Sequence, residues 1–108
     1  MIYLDYMSTT PTLPSVNQAV VRFQNDPLSY GNSSSRHDFG RSAAHAIESA
    51  QEQVAQLIGA SARDIVWTSG ATESNNMAIL GVARFHRRSG NHIITVKTEH
   101  AAVLAPCR

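Results

Sequence analysis

Lys97 and Cys107 are the only lysine and the only cysteine among the 108 residues of this sequence. A lone cysteine cannot close an internal disulfide, which excludes a disulfide scaffold and makes a reducing cytoplasm the simplest home. A lone lysine leaves any chemistry that needs a lysine amine with one candidate. Charge of one sign is also scarce. The formal net charge is +1, with no like-charge block and no basic patch interleaved with aromatics. Neither nucleic acid nor an anionic membrane is therefore an expected partner. No apolar run approaches the length of a membrane span. The N-terminal stretch carries Asp5 and no basic region, so no secretory signal is expected. Two common phosphate-binding patterns are missing as well. There is no G-x-x-x-x-G-K-[ST] loop, and Gly70 stands alone rather than in G-x-G-x-x-G. No metal site is expected.

What is present is ordinary in bulk and specific in detail. Hydrophobic residues make up 43%, and the length allows one small domain with a core. Ile2–Asp5 reads as a short extended start, and Met7–Pro14 as irregular because of Pro11 and Pro14. Ser15–Gln24 reads as a helix, with Pro14 near its N1 position and Val16, Ala19, Val20 and Phe23 at helical spacing. Asn25–Ser35 is a loop rich in Asn, Ser, Gly and Pro. Arg41–Ile58 is the clearest helix: Ala43, Ile47, Ala50, Val54 and Leu57 form one apolar stripe, and Gly59 is its stop.

Ile65–Thr68 and His92–Val96 read as short strands, with a helix from about Glu73 to Ser89 between them and Gly90 as its stop. Asp64–Val96 is thus expected to be a β-α-β unit with a right-handed crossover. Ala101–Ala105 reads as a new helix that meets Pro106 early. Two strands do not finish a sheet, so the chain reads as the front part of a larger protein.

The segment Ser69-Gly70-Ala71-Thr72-Glu73-Ser74 carries the most chemical information. It is a small-residue turn that leads from a strand into a helix. The first N–H groups of a helix lack intrahelical partners, and the peptide dipoles place partial positive charge there. Such a turn suits an anion, most often a phosphate; the plainer alternative is a capped strand-to-helix turn. In open α/β sheets ligands sit beyond the carboxyl ends of the strands. The second strand runs there into Lys97-Thr98-Glu99-His100. The His100 ring could stack on a planar cofactor or move protons near neutral pH; the plainer alternative is a surface or helix-capping histidine.

Four segments in order resemble the pyridoxal-phosphate-dependent cysteine desulfurases. They are Tyr3-Leu4-Asp5-Tyr6-Met7-Ser8-Thr9-Thr10-Pro11, then Gly31-Asn32-Ser33-Ser34-Ser35-Arg36-His37-Asp38-Phe39-Gly40-Arg41, then Thr68 to Asn76 around the turn, then Thr98-Glu99-His100. The short Gly31-Asn32 loop resembles the housekeeping and nitrogen-fixation branch. The sequence departs from the family at Ser33, where proline is usual, at Met7 and Ser8, and at Pro106.

The resemblance implies an α/β fold: an incomplete fragment of the fold-type-I large domain, a three-layer α/β/α architecture. Residues 1–13 would pack with the small domain of full-length relatives, and residues 14–108 would begin the cofactor-binding large domain. In that fold further strands lie between the two found here, so the fragment is expected to leave apolar faces uncovered. The implied cofactor is pyridoxal 5'-phosphate, with Ala71 and Thr72 holding its phosphate and His100 stacking on its ring and taking part in proton transfer.

The implied activity is transfer of sulfur from L-cysteine, leaving L-alanine and an enzyme persulfide destined for an iron–sulfur scaffold or another acceptor protein, in a cytoplasmic homodimer. Thr9, Thr10 and the Asn32 loop would serve a site across the subunit boundary, or act only as turn residues. The family also needs a lysine that holds the cofactor and a nucleophilic cysteine. Lys97 and Cys107 do not match those positions, and Cys107 reads as an inert helix residue. The 108-residue chain alone is therefore expected to be inactive. Another class V aminotransferase, a selenocysteine lyase, or a truncated non-catalytic product are the alternatives.

Overall fold

The computed structural model describes residues 2–108, which divide into two compact units, one ending at Ile65 and the other running from Val66 to Arg108. In the first unit, α1 spans Pro14–Asn25 and α2 spans Asp38–Ile58, followed by a single 3₁₀ turn, Ala62–Asp64. Pro14 opens α1 as expected, where its missing N–H costs no hydrogen bond. The apolar side chains Val16, Val20 and Phe23 of α1 are all exposed. Helix α2 begins three residues earlier than the apolar stripe alone indicates. His37 caps it, its Nδ1 accepting the Gly40 N–H at 3.3 Å. At the other end Gly59 adopts the left-handed conformation (φ 68°, ψ 28°), and the Ala60 N–H returns to the Ala55 carbonyl at 2.9 Å. That is the glycine stop read from the sequence.

Helix α2 packs on the 3₁₀ turn, and the Gln51 side-chain amide donates to the Ile65 carbonyl at 3.0 Å. Among the described residues, Ala43 and Ala55 are the buried apolar residues of this unit, while Ile47 and Leu57 of the expected stripe stay exposed. The loop before α2 fits closely. A Cβ on Gly31 would collide with the Phe39 carbonyl, and one on Gly40 with the carbonyls of Ser35 and Asn32. Near the N-terminus, the Tyr3 hydroxyl donates to the carbonyls of Asp5 (2.9 Å) and Thr9 (3.2 Å), folding 3–9 into a local turn.

The second unit contains α3, Ala71–His86, and the one-turn α4, Ala101–Leu104, which pack on each other. Ala102 is the one buried apolar residue of this unit among the described residues. Helix α3 starts two residues before the expected Glu73 and ends three before Ser89. Both Ser89 and Gly90 turn their N–H back to the His86 carbonyl, at 2.7 and 3.0 Å, which closes the helix early.

The strand assignments need correction. Among the described residues, neither Ile65–Thr68 nor His92–Val96 forms a strand, and the β-α-β unit does not assemble. The reason is that a ladder needs a neighbouring backbone at about 4.8 Å. The Ile65 N–H is spent on the Ala62 carbonyl in the 3₁₀ turn (3.1 Å), and the Val96 carbonyl accepts from Glu99 in a turn (3.2 Å). The apolar side chains of these segments remain uncovered: Val66, Trp67, Ile93, Ile94 and Val96 are all exposed. No large side chain is fully buried among the described residues. The uncovered apolar faces anticipated from the sequence are thus present.

Candidate functional site

The turn at 68–74 is built from hydroxyls, one glycine and one carboxylate. Gly70 is the N-cap of α3 (φ 159°, ψ −179°) and has no side chain with which to cap it. A Cβ there would meet nothing within 4 Å. The first intrahelical bond runs from the Ser74 N–H to the Gly70 carbonyl at 3.1 Å. The N–H groups of Ala71, Thr72 and Glu73 precede it and have no carbonyl one turn back to bond. All three residues are exposed. This is the open helix start anticipated from the sequence, and Ala71 and Thr72 stand at its first two positions. The Thr72 carbonyl is engaged by the Asn76 side-chain amide at 2.8 Å, and Thr72 is exposed on the first turn.

Side chains hold the turn closed from behind. The Ser69 N–H and hydroxyl both donate to Glu73 Oε2, at 2.6 and 2.8 Å. The Thr68 and Ser74 hydroxyls lie 2.6 Å apart, and each is 3.3 Å from the Gly70 carbonyl. The backbone bond from Ser69, and after it the Ser69 hydroxyl, hold the Glu73 carboxyl below its usual pKa range. Sequence reading missed this clamp. Its signal was available: an acid at the third helical position commonly reaches back to the N–H groups before the helix.

His100 lies in the same compact unit as the turn, at the start of α4. Its Nδ1 accepts the Ala102 N–H at 3.1 Å, so His100 does cap a helix, as the plainer alternative held. With Nδ1 an acceptor, the proton of the neutral ring is assigned to Nε2. Capping therefore fixes the tautomer and leaves Nε2 for other work. Cys107 is half-buried, with Sγ 3.1 Å from the Val103 carbonyl, and Lys97 is exposed in the turn after Val96.

A cavity of about 740 Å³ lies elsewhere, along the later turns of α3, lined by Ala78, Ile79, Val82, Ala83 and Ile93 among others. Its lining is mainly apolar, with His86, Arg87 and His92 also on it. Among the described residues no group of His, Cys, Asp or Glu is placed to hold a metal ion.

The model of the class-V aminotransferases matches residues 2–108. The chain belongs to the class-V aminotransferase family. Within that family it is 54% identical over 108 residues to cysteine desulfurase IscS of Cronobacter sakazakii. It is 52% identical to the protein of the same name from Klebsiella pneumoniae and 51% to that from Vibrio campbellii. Each alignment covers 99% of this chain and 27% of the relative. The chain thus spans about a quarter of the length of these class-V relatives.

The donor set of the turn fits the phosphate of a pyridoxal-type cofactor. Such a phosphate is an acceptor-rich anion, and the turn offers a row of N–H donors, a hydroxyl and the positive end of a sixteen-residue helix. The Glu73 carboxylate of the first turn is already bonded to Ser69.

Proposed function

We propose that this chain is the N-terminal portion of a cysteine desulfurase, which takes sulfur from L-cysteine and leaves L-alanine. The observation that carries this reading is the uncapped start of α3, set directly behind the Thr68-Ser69-Gly70 turn in a chain 54% identical to a desulfurase. The N–H groups of Ala71 and Thr72, with the Thr72 hydroxyl, bind and orient the phosphate of pyridoxal 5'-phosphate. His100 stacks on the cofactor ring, and Nε2 is the atom at which it holds or moves a proton. When bound, the cofactor supplies an electron sink that labilises bonds at the substrate's α-carbon. The anchoring lysine and the sulfur-accepting cysteine are not among these 108 residues, since neither Lys97 nor Cys107 occupies the corresponding place.

The same reading makes residues 14–108 the opening of an α/β/α large domain and residues 1–13 a segment that packs on a small domain. Ile65–Thr68 and His92–Val96 become strands when neighbouring strands flank them. That supplies the ladder they lack and covers Trp67 and Ile94, which are 52% and 88% exposed here. The sulfur acceptor is an iron–sulfur scaffold or comparable protein, the assembly a homodimer and the compartment the cytoplasm.

The test pairs two proteins. In one, residues 1–108 replace the matching segment of the Cronobacter sakazakii relative; the other is the 108-residue chain alone with added cofactor. The chimera is expected to produce alanine and persulfide from L-cysteine, and the chain alone neither. An inactive but folded chimera, or turnover by the chain alone, overturns the reading.

A further inference from the structure

Two of the hydrogen-bond donors in the turn before α3 are taken by Glu73. A single oxygen, Oε2, takes both the Ser69 N–H (2.6 Å) and the Ser69 hydroxyl (2.8 Å). Glu73 belongs to the first turn of α3, whereas Ser69 precedes the N-cap, so the pair ties the incoming backbone to the helix across Gly70. Gly70 has no side chain to do this, and a Cβ there would meet nothing within 4 Å. The Thr68–Ser74 hydroxyl contact at 2.6 Å is a second tie of the same span, again one residue before the turn to one inside the helix.

We infer that Glu73 is a positioning residue for the cofactor phosphate, fixing the course of the backbone through Gly70 while withdrawing the Ser69 donors. This rests on the reading that the turn holds pyridoxal phosphate. A carboxylate beside a phosphate site would ordinarily repel the anion. Here two charge-assisted bonds engage it on the side of the incoming backbone, and the three first N–H groups of the helix are left for the phosphate. The anion-binding geometry is then present before the ligand arrives, which lowers the ordering cost of binding.

The distinguishing property is selectivity for the phosphate arm. A residue that only stabilised the fold would affect pyridoxal and pyridoxal phosphate alike. A residue that positions the phosphate donors affects only the latter. Dissociation constants for the two ligands are measured by fluorescence on the chimera bearing residues 1–108, as wild type, E73A and E73Q. E73A is expected to weaken pyridoxal phosphate about tenfold, the scale of losing charge-assisted hydrogen bonds, and to leave pyridoxal unchanged. E73Q keeps a neutral oxygen for Ser69 and is expected to restore most of that loss.

The Ser69 amide proton, followed by NMR in the ligand-free protein, should move upfield in E73A as its acceptor disappears. An equal effect of E73A on both ligands, or an unmoved Ser69 amide, overturns the assignment of Glu73 and leaves the phosphate reading intact. A wild type that binds pyridoxal as tightly as pyridoxal phosphate overturns the phosphate reading itself, and this assignment with it.

Discussion

Two helices of this chain begin in opposite ways. At α2 the cap is a side chain: His37 Nδ1 accepts the Gly40 N–H, and Asp38 in the first turn pairs with Arg41, whose guanidinium also reaches the Arg36 carbonyl. Carbonyls crowd Gly31 of the preceding loop and Gly40 of the first turn. The loop's own polar groups bond inward too, with Asn32 Oδ1 accepting the Ser34 N–H at 2.9 Å. At α3 the cap is a bare glycine in open space, and the nearest acid turns backwards to Ser69. Both starts carry partial positive charge from the helix dipole. They differ in the side-chain cap: His37 takes the Gly40 N–H at α2, whereas no side chain caps the first turn of α3. A helix start is therefore a site or a structural joint according to what caps it, not according to its dipole.

Breaking the joint at α2 should have the largest effect. Gly40→Ala drives a Cβ into the carbonyls of Ser35 and Asn32. Neither is the end of a flexible side chain, so the loop backbone must move. The expected cost is about 3 kcal/mol, the upper range for overpacking a fitted site. Urea denaturation of the chimera, compared with its wild-type counterpart, measures it. An unchanged midpoint would mean that the loop around Asn32 is not held against α2 as described.

A milder change sharpens the same contrast. His37→Ala removes the α2 cap but no packing against Gly31 or Gly40. The expected loss is about 1 kcal/mol, the usual worth of an N-cap side chain. Amide exchange at Gly40 should accelerate, while exchange in the first turn of α3 stays constant. An effect spread evenly over both helix starts would contradict the independence of the two.

Much of this contrast could be read before the structure. The stripe of Ala43, Ala50 and Val54 and the stop at Gly59 place α2 correctly, because helix periodicity and glycine stops are local. The turn at 69–72 was legible for the same reason. His37 as a cap was not, since histidine is an uncommon cap and the early start at Asp38 depends on it. The strands failed for a different reason. Val66-Trp67-Thr68 and Ile93-Ile94-Thr95-Val96 have β-rich composition, yet a strand is a property of a pair, and composition cannot supply the partner. Burial followed suit: Ile47 and Leu57 lie on the expected stripe and stay exposed, because the surface that would cover them is not contributed by their own unit. The role of Glu73 was hidden by its ordinariness, as an acid in a first turn is expected on dipole grounds alone.

The smallest effect is the most specific to α3. The Ser69 bonds hold the Glu73 carboxyl below its usual range, so the folded turn favours the ionised form more than the unfolded chain does. For a carboxyl lowered in this way, the stabilisation is fully present above the ordinary glutamate pKa. It is lost as pH falls through the lowered folded value. Because the side chain is exposed, solvent screens the contact and the change in global stability should be slight. The local change should be plain. The Ser69 amide proton is expected to titrate upfield with a midpoint below that of a free glutamate, and E73Q should abolish the titration. Asp26 supplies the internal comparison. Its carboxyl is also lowered, by the Leu28 N–H and then the Ser29 hydroxyl, in a loop with no helix start to position. Acidification should therefore release both carboxylates, but of the two only Glu73 should contribute to weaker pyridoxal phosphate binding, beyond the cofactor phosphate's own protonation. A D26N variant that shifted the acid limb of cofactor binding as far as E73Q does would remove the distinction between an exposed turn and a prepared one.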